Sequence, residues 1–396
     1  MRIWRWLLVA CVVVVGAVAS LWLLWPGQER VLAWVNPSAG RYLEGAPLEV
    51  RAPQGTYEVR FEVDGRTVGV SDQRDPEGRF ILCWHPEGAL GGEHRFAAVA
   101  IRADGREIGY DAARAEVVPR PGGHIPRFSH VYLIVFENRN LHDIIGNPRL
   151  PYLNSLAAHY GLAVNYYAVA HPSEPNYLAL WSGSTQGVHN DLDYTFQAPH
   201  LGDELESSGR TWRVFAENVR VRDPRTGAPV CGRAPFYHDP DDEPGLYVRS
   251  HEPAISFADV SGDRSSCLQH ITDFRHFDPS AASFELIVPN MCNDMHSCSE
   301  MHGDAWLRRW LPSHILDTPT WQRTNSVIFI TWDEGTTPAH GGGQVPLIVI
   351  SHRTPAGYES CRLYDHYALL RTIEQSWRLP CLGESCRTRG LTEFFR

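Results

Sequence analysis

Two strand patterns, in two halves of the chain, predict an α/β domain with a mostly parallel sheet, preceded by an all-β sandwich. From about residue 127 onward, apolar runs such as Val131–Phe136, Thr211–Ala216, Phe284–Pro289 and Ser326–Trp332 alternate with helix-like segments such as Pro151–Tyr160, Gly303–Leu311 and Asp365–Trp377. Strands that are apolar on both faces belong to parallel sheets covered by helices on each side. Between about Ala33 and Val118 the period is instead two, as in Tyr57–Val63 and Arg95–Ile101. Alternation of that kind buries only one face. A chain of 396 residues with 43% hydrophobic composition is long enough for two such domains and too apolar to be disordered.

Taken in order, the chain opens with Arg2 and Arg5, then Leu7 to Trp25 without a charge, nineteen residues in all. This predicts a membrane anchor over residues 1–26 with its N-terminus inside. Ala17-Val-Ala19 offers a signal-peptidase site as the alternative, but Leu21–Trp25 carries the apolar run past it, which favours the uncleaved anchor. Residues 33–118 form the expected β-sandwich, with Asp64-Gly65 and Asp104-Gly105 as hairpin turns and Phe80–Trp84 as a strand between. No cluster of titratable residues lies there, so it reads as a spacer or packing domain. Pro119-Arg-Pro-Gly-Gly123 marks a linker, placed at 119–126. The α/β domain follows at 127–396, interrupted at about Gly187–Gln269 by a stretch rich in Pro, Asp, Gly and Arg that is expected to rim the site.

Charge and cysteines bound the partners and the compartment. Thirty-six basic residues against 46 acidic give a net charge of −10, with no basic run, which excludes a general nucleic-acid surface. Of nine cysteines, Cys11 lies in the apolar leader. Cys292 with Cys298 and Cys381 with Cys386 lie close enough for small disulfide loops, and Cys231 with Cys267 is a looser pairing; zinc–thiolate sites are disfavoured because no Cys-x-x-Cys occurs. With the leader, this predicts that the α/β domain lies outside the cytoplasm, tethered or secreted.

The chemistry gathers where the strands end. Glu137-Asn138, Glu217-Asn218, Asn290 and Asp333-Glu334 each follow an apolar run, and in open parallel sheets ligands bind beyond the carboxyl ends of the strands. His171-Pro-Ser-Glu-Pro-Asn-Tyr177 sets Ser173 just ahead of a predicted helix, where free N–H groups and the dipole favour a phosphate. Singly, each residue also reads as a helix cap. A serine hydroxyl needs a base or a metal to become a nucleophile, and Glu, Asn and Asp are hard oxygen ligands suited to Ca²⁺, Mg²⁺ or Mn²⁺, with nearby histidines admitting Zn²⁺.

These motifs, with Phe136-Glu-Asn-Arg, Pro151-Tyr-Leu-Asn-Ser-Leu-Ala157, Pro289-Asn-Met-Cys-Asn-Asp-Met-His296, Gly303-Asp-Ala-Trp-Leu307, Thr331-Trp-Asp-Glu-Gly and His366-Tyr-Ala-Leu-Leu-Arg-Thr-Ile-Glu374, resemble the bacterial phosphoesterase family over roughly residues 127–380. That family contains acid phosphatases and non-haemolytic phospholipases C, within the alkaline-phosphatase-like superfamily. The resemblance implies an alkaline-phosphatase-like α/β/α sandwich and a metal ion on Glu137, Asn138, Ser173, Asp333 and Glu334. It also implies Ser173 as nucleophile and a phosphoserine intermediate. A second metal is not assigned among Asp294, His296, His340 and His366. Residues 59–69 and 92–100 resemble bacterial immunoglobulin-like modules.

Other roles follow from residue chemistry. Asn176 is expected to donate to a phosphate oxygen, and His296 and His366 to move protons. His171 and His251 are expected to bind substrate; Ser250-His-Glu-Pro253 departs from a Lys-His-Asn-Pro motif of the family. The reading is thus an acid phosphatase-like monoesterase acting on phosphate esters, with a phospholipase C-like diesterase on phospholipid as the alternative. A non-catalytic surface-binding protein is the competing class, disfavoured because the whole ligand set is present. A sulfatase is disfavoured by the missing arginine after Ser173-Glu-Pro.

Overall fold

The computed structural model describes residues 31–38, 40–75, 78–84, 92–118, 123–223, 226–228, 230–231 and 245–396. The predicted anchor over residues 1–26 lies outside them, as does the first half of the predicted linker, residues 119–122. Among the described residues no helix is long and apolar enough to cross a membrane.

The N-terminal part holds strands β1 (Ala33–Asn36), β2 (Arg41–Leu43), β3 (Pro47–Arg51), β4 (Glu58–Val63), β5 (Arg66–Ser71), β6 (Arg79–Cys83), β7 (Gly92–Ile101) and β8 (Glu107–Val118). They form a sheet ordered β1-β3-β6 and another ordered β2-β8-β7-β4-β5. All pairs are antiparallel except β2 with β8. The turn at Asp64-Gly65 joins β4 to β5 with both residues at positive φ, 50° and 76°. That backbone matches the twist of paired strands and is why an Asp-Gly pair sits there. Alternate residues Val59, Phe61, Phe96 and Ala98 point into a core of their own with Leu48, Val50 and Phe80.

The C-terminal part is built on β9 (His130–Phe136), β10 (Gly161–Ala163), β11 (Tyr166–Tyr167), β12 (Trp212–Ala216), β13 (Ile271–Thr272), β14 (Phe284–Val288), β15 (Ser326–Trp332), β16 (Leu347–Ser351), β17 (Tyr358–Ser360) and β18 (Tyr364–Asp365). Its main sheet runs β13-β12-β14-β9-β15-β16-β10-β17. Five neighbours from β13 to β15 are parallel, and β16 alone runs against the rest. The central strands β14 and β15 are buried at every residue, as the unbroken apolar runs require. Helices α1 (Pro151–His159), α2 (Ser173–Ser182), α3 (Glu300–Leu311) and α4 (His366–Trp377) are the longest. The α/β architecture expected from the sequence is therefore present.

Disulfides join Cys231 to Cys267, Cys292 to Cys298 and Cys381 to Cys386, the three pairs the spacing pointed to. A fourth, Cys83 to Cys361, spans 278 residues and ties β6 to the segment after β17. No spacing rule finds such a pair. Four disulfides place the folded chain in an oxidising, extracytoplasmic setting.

Beside that bridge, the Cys361 N–H donates to the Gly45 carbonyl at 2.9 Å, and Glu49 of β3 is buried next to Glu359 of β17. Burial, then the Glu359 carboxylate, push the Glu49 carboxyl up to about 9, and Arg79 at 3.3 Å offsets only part of this. A raised pKa means the folded chain holds the proton more tightly. The stability from that proton is full below about pH 4.5 and is lost as pH rises through about 9. Glu49→Gln, which cannot ionise, should melt above wild type at pH 9, by about 2–4 °C per kcal/mol recovered, and close to it at pH 4.5. An equal difference at both pH values in thermal melts would contradict this.

Candidate active site

The site grows from the carboxyl ends of β9 and β15, which pair in register through Phe136 and Trp332. The next residues, Glu137 and Asp333, are both fully buried. Asn138 adopts a left-handed backbone at φ 56°, a conformation asparagine tolerates better than most side chains. That turn aims its N–H at Asp333 Oδ1, 3.0 Å away, while its side-chain amide donates to Glu137 Oε2, also at 3.0 Å.

Ser173 is the first residue of α2, with Pro172 as the capping residue and Pro175 in the first turn. The serine thus lies one position deeper than expected, and still at the positive end of the helix. Its hydroxyl donates to Glu137 Oε2 at 3.0 Å. One turn on, Tyr177 donates to the other oxygen, Oε1, at 2.5 Å. His251 stacks on the Tyr177 ring, 5.3 Å between centroids and 11° between planes. Its Nδ1 lies 3.4 Å from Glu137 Oε1 and 3.6 Å from Asp294 Oδ2.

Too much buried negative charge meets here. Burial first, then the Asp333 and Asp294 carboxylates, raise Glu137 well above the ordinary range. Asp333 is pushed to about 6 and Glu334 to about 7, each chiefly by burial. Asp294 Oδ2 and Asp333 Oδ2 are buried without a hydrogen-bond partner. Glu137, His251 and Asp294 bring ligand atoms within 4.8 Å of one another. Orphaned carboxylate oxygens are costly unless a cation satisfies them, so the donor set fits a bound divalent metal ion.

The remaining predicted residues fall into distinct places. His171 Nδ1 meets Glu334 Oε2 at 2.6 Å and Nε2 meets the Thr337 carbonyl at 3.0 Å. Burial works against its charge, but those acceptors outweigh it and raise the pKa. His296 is exposed, its ring 6.1 Å from His251, and burial of part of the ring, then His251, lower its pKa. Asn176 turns away from any phosphate: its oxygen accepts from Val169 and Ala170 N–H, and its amide donates to the carbonyls of Ala170 and Pro172. It shapes the loop that delivers Ser173.

His366 is also fully committed, to Asp333 O at 2.6 Å through Nε2 and to the Tyr166 hydroxyl at 2.8 Å through Nδ1. A carbonyl only accepts, so Nε2 carries the hydrogen and Nδ1 accepts from Tyr166. Burial holds its pKa down to about 4, which keeps the ring neutral and makes it a brace for the end of β15.

Further participants were not assigned a role from the sequence. Tyr177 stands four residues after Ser173, a spacing that puts both side chains on one helix face and was available as a signal. Asp294 was left undecided because its loop geometry comes from elsewhere. Glu217 accepts from Asn290 N–H and the Asn293 amide, and Asn218, itself left-handed at φ 64°, accepts from Asn290. That strand end holds the loop that presents Asp294. Glu174, beside the serine, is buried and pushed to about 7 chiefly by burial, with Arg249 opposing.

The phosphoesterase family model matches residues 146–380, and a phosphatidylinositol-3-phosphatase of Mycobacterium tuberculosis is 34% identical over 275 residues, 68% of this chain and 84% of that protein. The chain belongs to the phosphoesterase family. The family match contains Ser173, His251, Asp294, His296, Asp333, Glu334 and His366, and begins beyond Glu137 and Asn138. An acid phosphatase of Aspergillus fumigatus is 27% identical over 65% of this phosphoesterase, which spans 56% of that enzyme's length. Among solved structures, the phosphonate monoester hydrolase of Silicibacter pomeroyi shares 13% identity over 67% of this chain and 76% of that one, with a TM-score of 0.43. This phosphoesterase is a hydrolase of phosphoric esters.

If His366 braces β15 and does not transfer the reaction's proton, His366→Gln, which keeps an N–H donor toward the Asp333 carbonyl, should hold turnover within about tenfold of wild type. His366→Ala should lose more activity and melt lower. A Gln variant as inactive as one without the Ser173 hydroxyl would assign the ring to catalysis instead.

Proposed function

We propose that the chain is a metal-dependent phosphomonoesterase that works through a phosphoserine on Ser173. The observation that carries this reading is the Ser173 hydroxyl, at a helix N-terminus and bonded to a buried carboxylate cluster with orphaned oxygens. Glu137, Asn138, Asp333 and Glu334, with Ser173 itself, are the residues that would hold the metal, with Asp294, whose Oδ2 is free in the same cluster, beside them. Bound there, a divalent cation supplies Lewis-acid stabilisation of the serine alkoxide and of the phosphoryl oxygens.

Ser173 Oγ forms the new bond to phosphorus as the ester oxygen leaves, and its proton has Glu137 Oε2 at 3.0 Å to pass to. His296, at the exposed edge, gives a proton to the departing oxygen; a water then attacks the phosphoserine and restores the hydroxyl. His171, whose pKa is raised by the acceptors on both of its ring nitrogens, supplies positive charge near the phosphoryl group when it is protonated. His251 contributes from beside Glu137 and Asp294.

A monoester substrate is supported by the names of the relatives, a phosphatidylinositol-3-phosphatase and acid phosphatases. The N-terminal β-sandwich is read as a packing unit at 33–118 ahead of a catalytic domain at 127–396, and the apolar leader as a tether that holds the site outside the cytoplasm.

Ser173→Ala should fold, and should lose turnover of p-nitrophenyl phosphate by on the order of 10³-fold or more. A helix-cap role alone would cost about 1 kcal/mol of stability and little rate. Acid quench of wild type during turnover should leave phosphate on the peptide containing Ser173, detected by mass spectrometry. Near-normal rates in the folded Ser173→Ala chain would refute the nucleophile.

A further inference from the structure

At the opposite end of the sheet lies a cavity of about 760 Å³ lined by Arg127, Arg353 and Arg378, with Asn325, Trp377 and Arg396. Its place follows from topology. Arg127 precedes β9, Asn325 precedes β15, Arg353 follows the reversed β16, and Arg378 ends α4. These are the amino ends of the parallel strands. Glu137 stands ten residues beyond Arg127 across β9, roughly 30 Å away at strand rise.

The charge carried by the side chains of this cavity is all guanidinium or imidazole. No Asp or Glu side chain among the described residues lines it. Elsewhere the arginines of this acidic chain find carboxylates, as Arg139 does with Glu300 and Arg371 with Glu374. Arg127, Arg353 and Arg378 are exposed and have no such partner among the described residues. Arg210 lies nearby, its guanidinium 5.1 Å from the centroid of the Trp377 ring, with its Nε buried and unpartnered. Burial and then Arg127 hold its pKa below the ordinary value, so the arginines oppose one another. Arg378 keeps a left-handed backbone at φ 59° at the end of α4, a position where glycine is the usual residue.

We infer that this cavity is an anion-binding site, separate from the catalytic one, for a small molecule carrying two or more phosphate groups. Three or four guanidinium forks around one space match several phosphates, each taken by paired N–H donors. The volume falls within the range of small-ligand sites. A ligand bound there leaves Ser173 free, and the proposal stands whether or not Ser173 is the nucleophile.

The test uses the full chain and inositol hexasulfate, a polyanion without phosphate esters to hydrolyse. Isothermal titration into wild type should show one-to-one binding that survives Asp333→Asn. The combined Arg127→Gln, Arg353→Gln, Arg378→Gln variant should bind at least tenfold more weakly while turning over p-nitrophenyl phosphate at the wild-type rate. Absence of binding to wild type, or affinity that is unchanged in the arginine variant, would overturn the site. So would binding lost in Asp333→Asn alone.

Discussion

Glu137, Asp294 and Asp333 lie almost entirely out of water within reach of two hydroxyls and one imidazole, and that concentration of buried negative charge governs the rest of the domain. Each buried carboxylate costs several kcal/mol unless paired or protonated. Hydrogen bonds satisfy part of the cost: Tyr177 and Ser173 donate to Glu137, and the Asn138 N–H donates to Asp333. The oxygens left over, Asp294 Oδ2 and Asp333 Oδ2, call for a cation. In the proposed reaction the same imbalance serves catalysis, since a cation held there preorganises the site for an anionic phosphoryl group.

The scaffold keeps those groups together by commitments made away from the chemistry. His366 and Tyr166 fix the end of β15; Glu217 and Asn218 fix the loop before Asp294; Asn176 fixes the turn before Ser173. In each case a polar side chain is used up on backbone groups or on a neighbouring loop. Positions that resemble a site by residue type therefore divide into those facing the cluster and those holding it. The Cys83–Cys361 bridge and the Glu49–Glu359 contact do a comparable job between the sandwich and the sheet.

Much of this was legible in the sequence because it depends on local pattern. Unbroken apolar runs mark buried parallel strands, alternation marks the sandwich, and Asp64-Gly65 marks a hairpin. Polar residues gathered at the strand ends follow from the parallel sheet. What was not legible depends on which way a side chain turns. Asn176 and His366 have residue types suited to donors or proton carriers, yet backbone acceptors take up their hydrogen bonds. The pairing of Cys83 with Cys361 and the arrival of Asp294 beside Glu137 need contacts across the whole chain, for which spacing holds no signal.

The central claim is that the buried carboxylate cluster exists to hold a cation. It is tested most directly by metal analysis of purified, dialysed wild-type chain, followed by chelation and thermal melting of the same sample. The account predicts a stoichiometric divalent ion, its loss with chelator, and a lower melting temperature that is restored when the ion is returned. Asp333→Asn should bind it weakly. A chain that carries no metal, melts at the same temperature with and without chelator, and still hydrolyses p-nitrophenyl phosphate would contradict it.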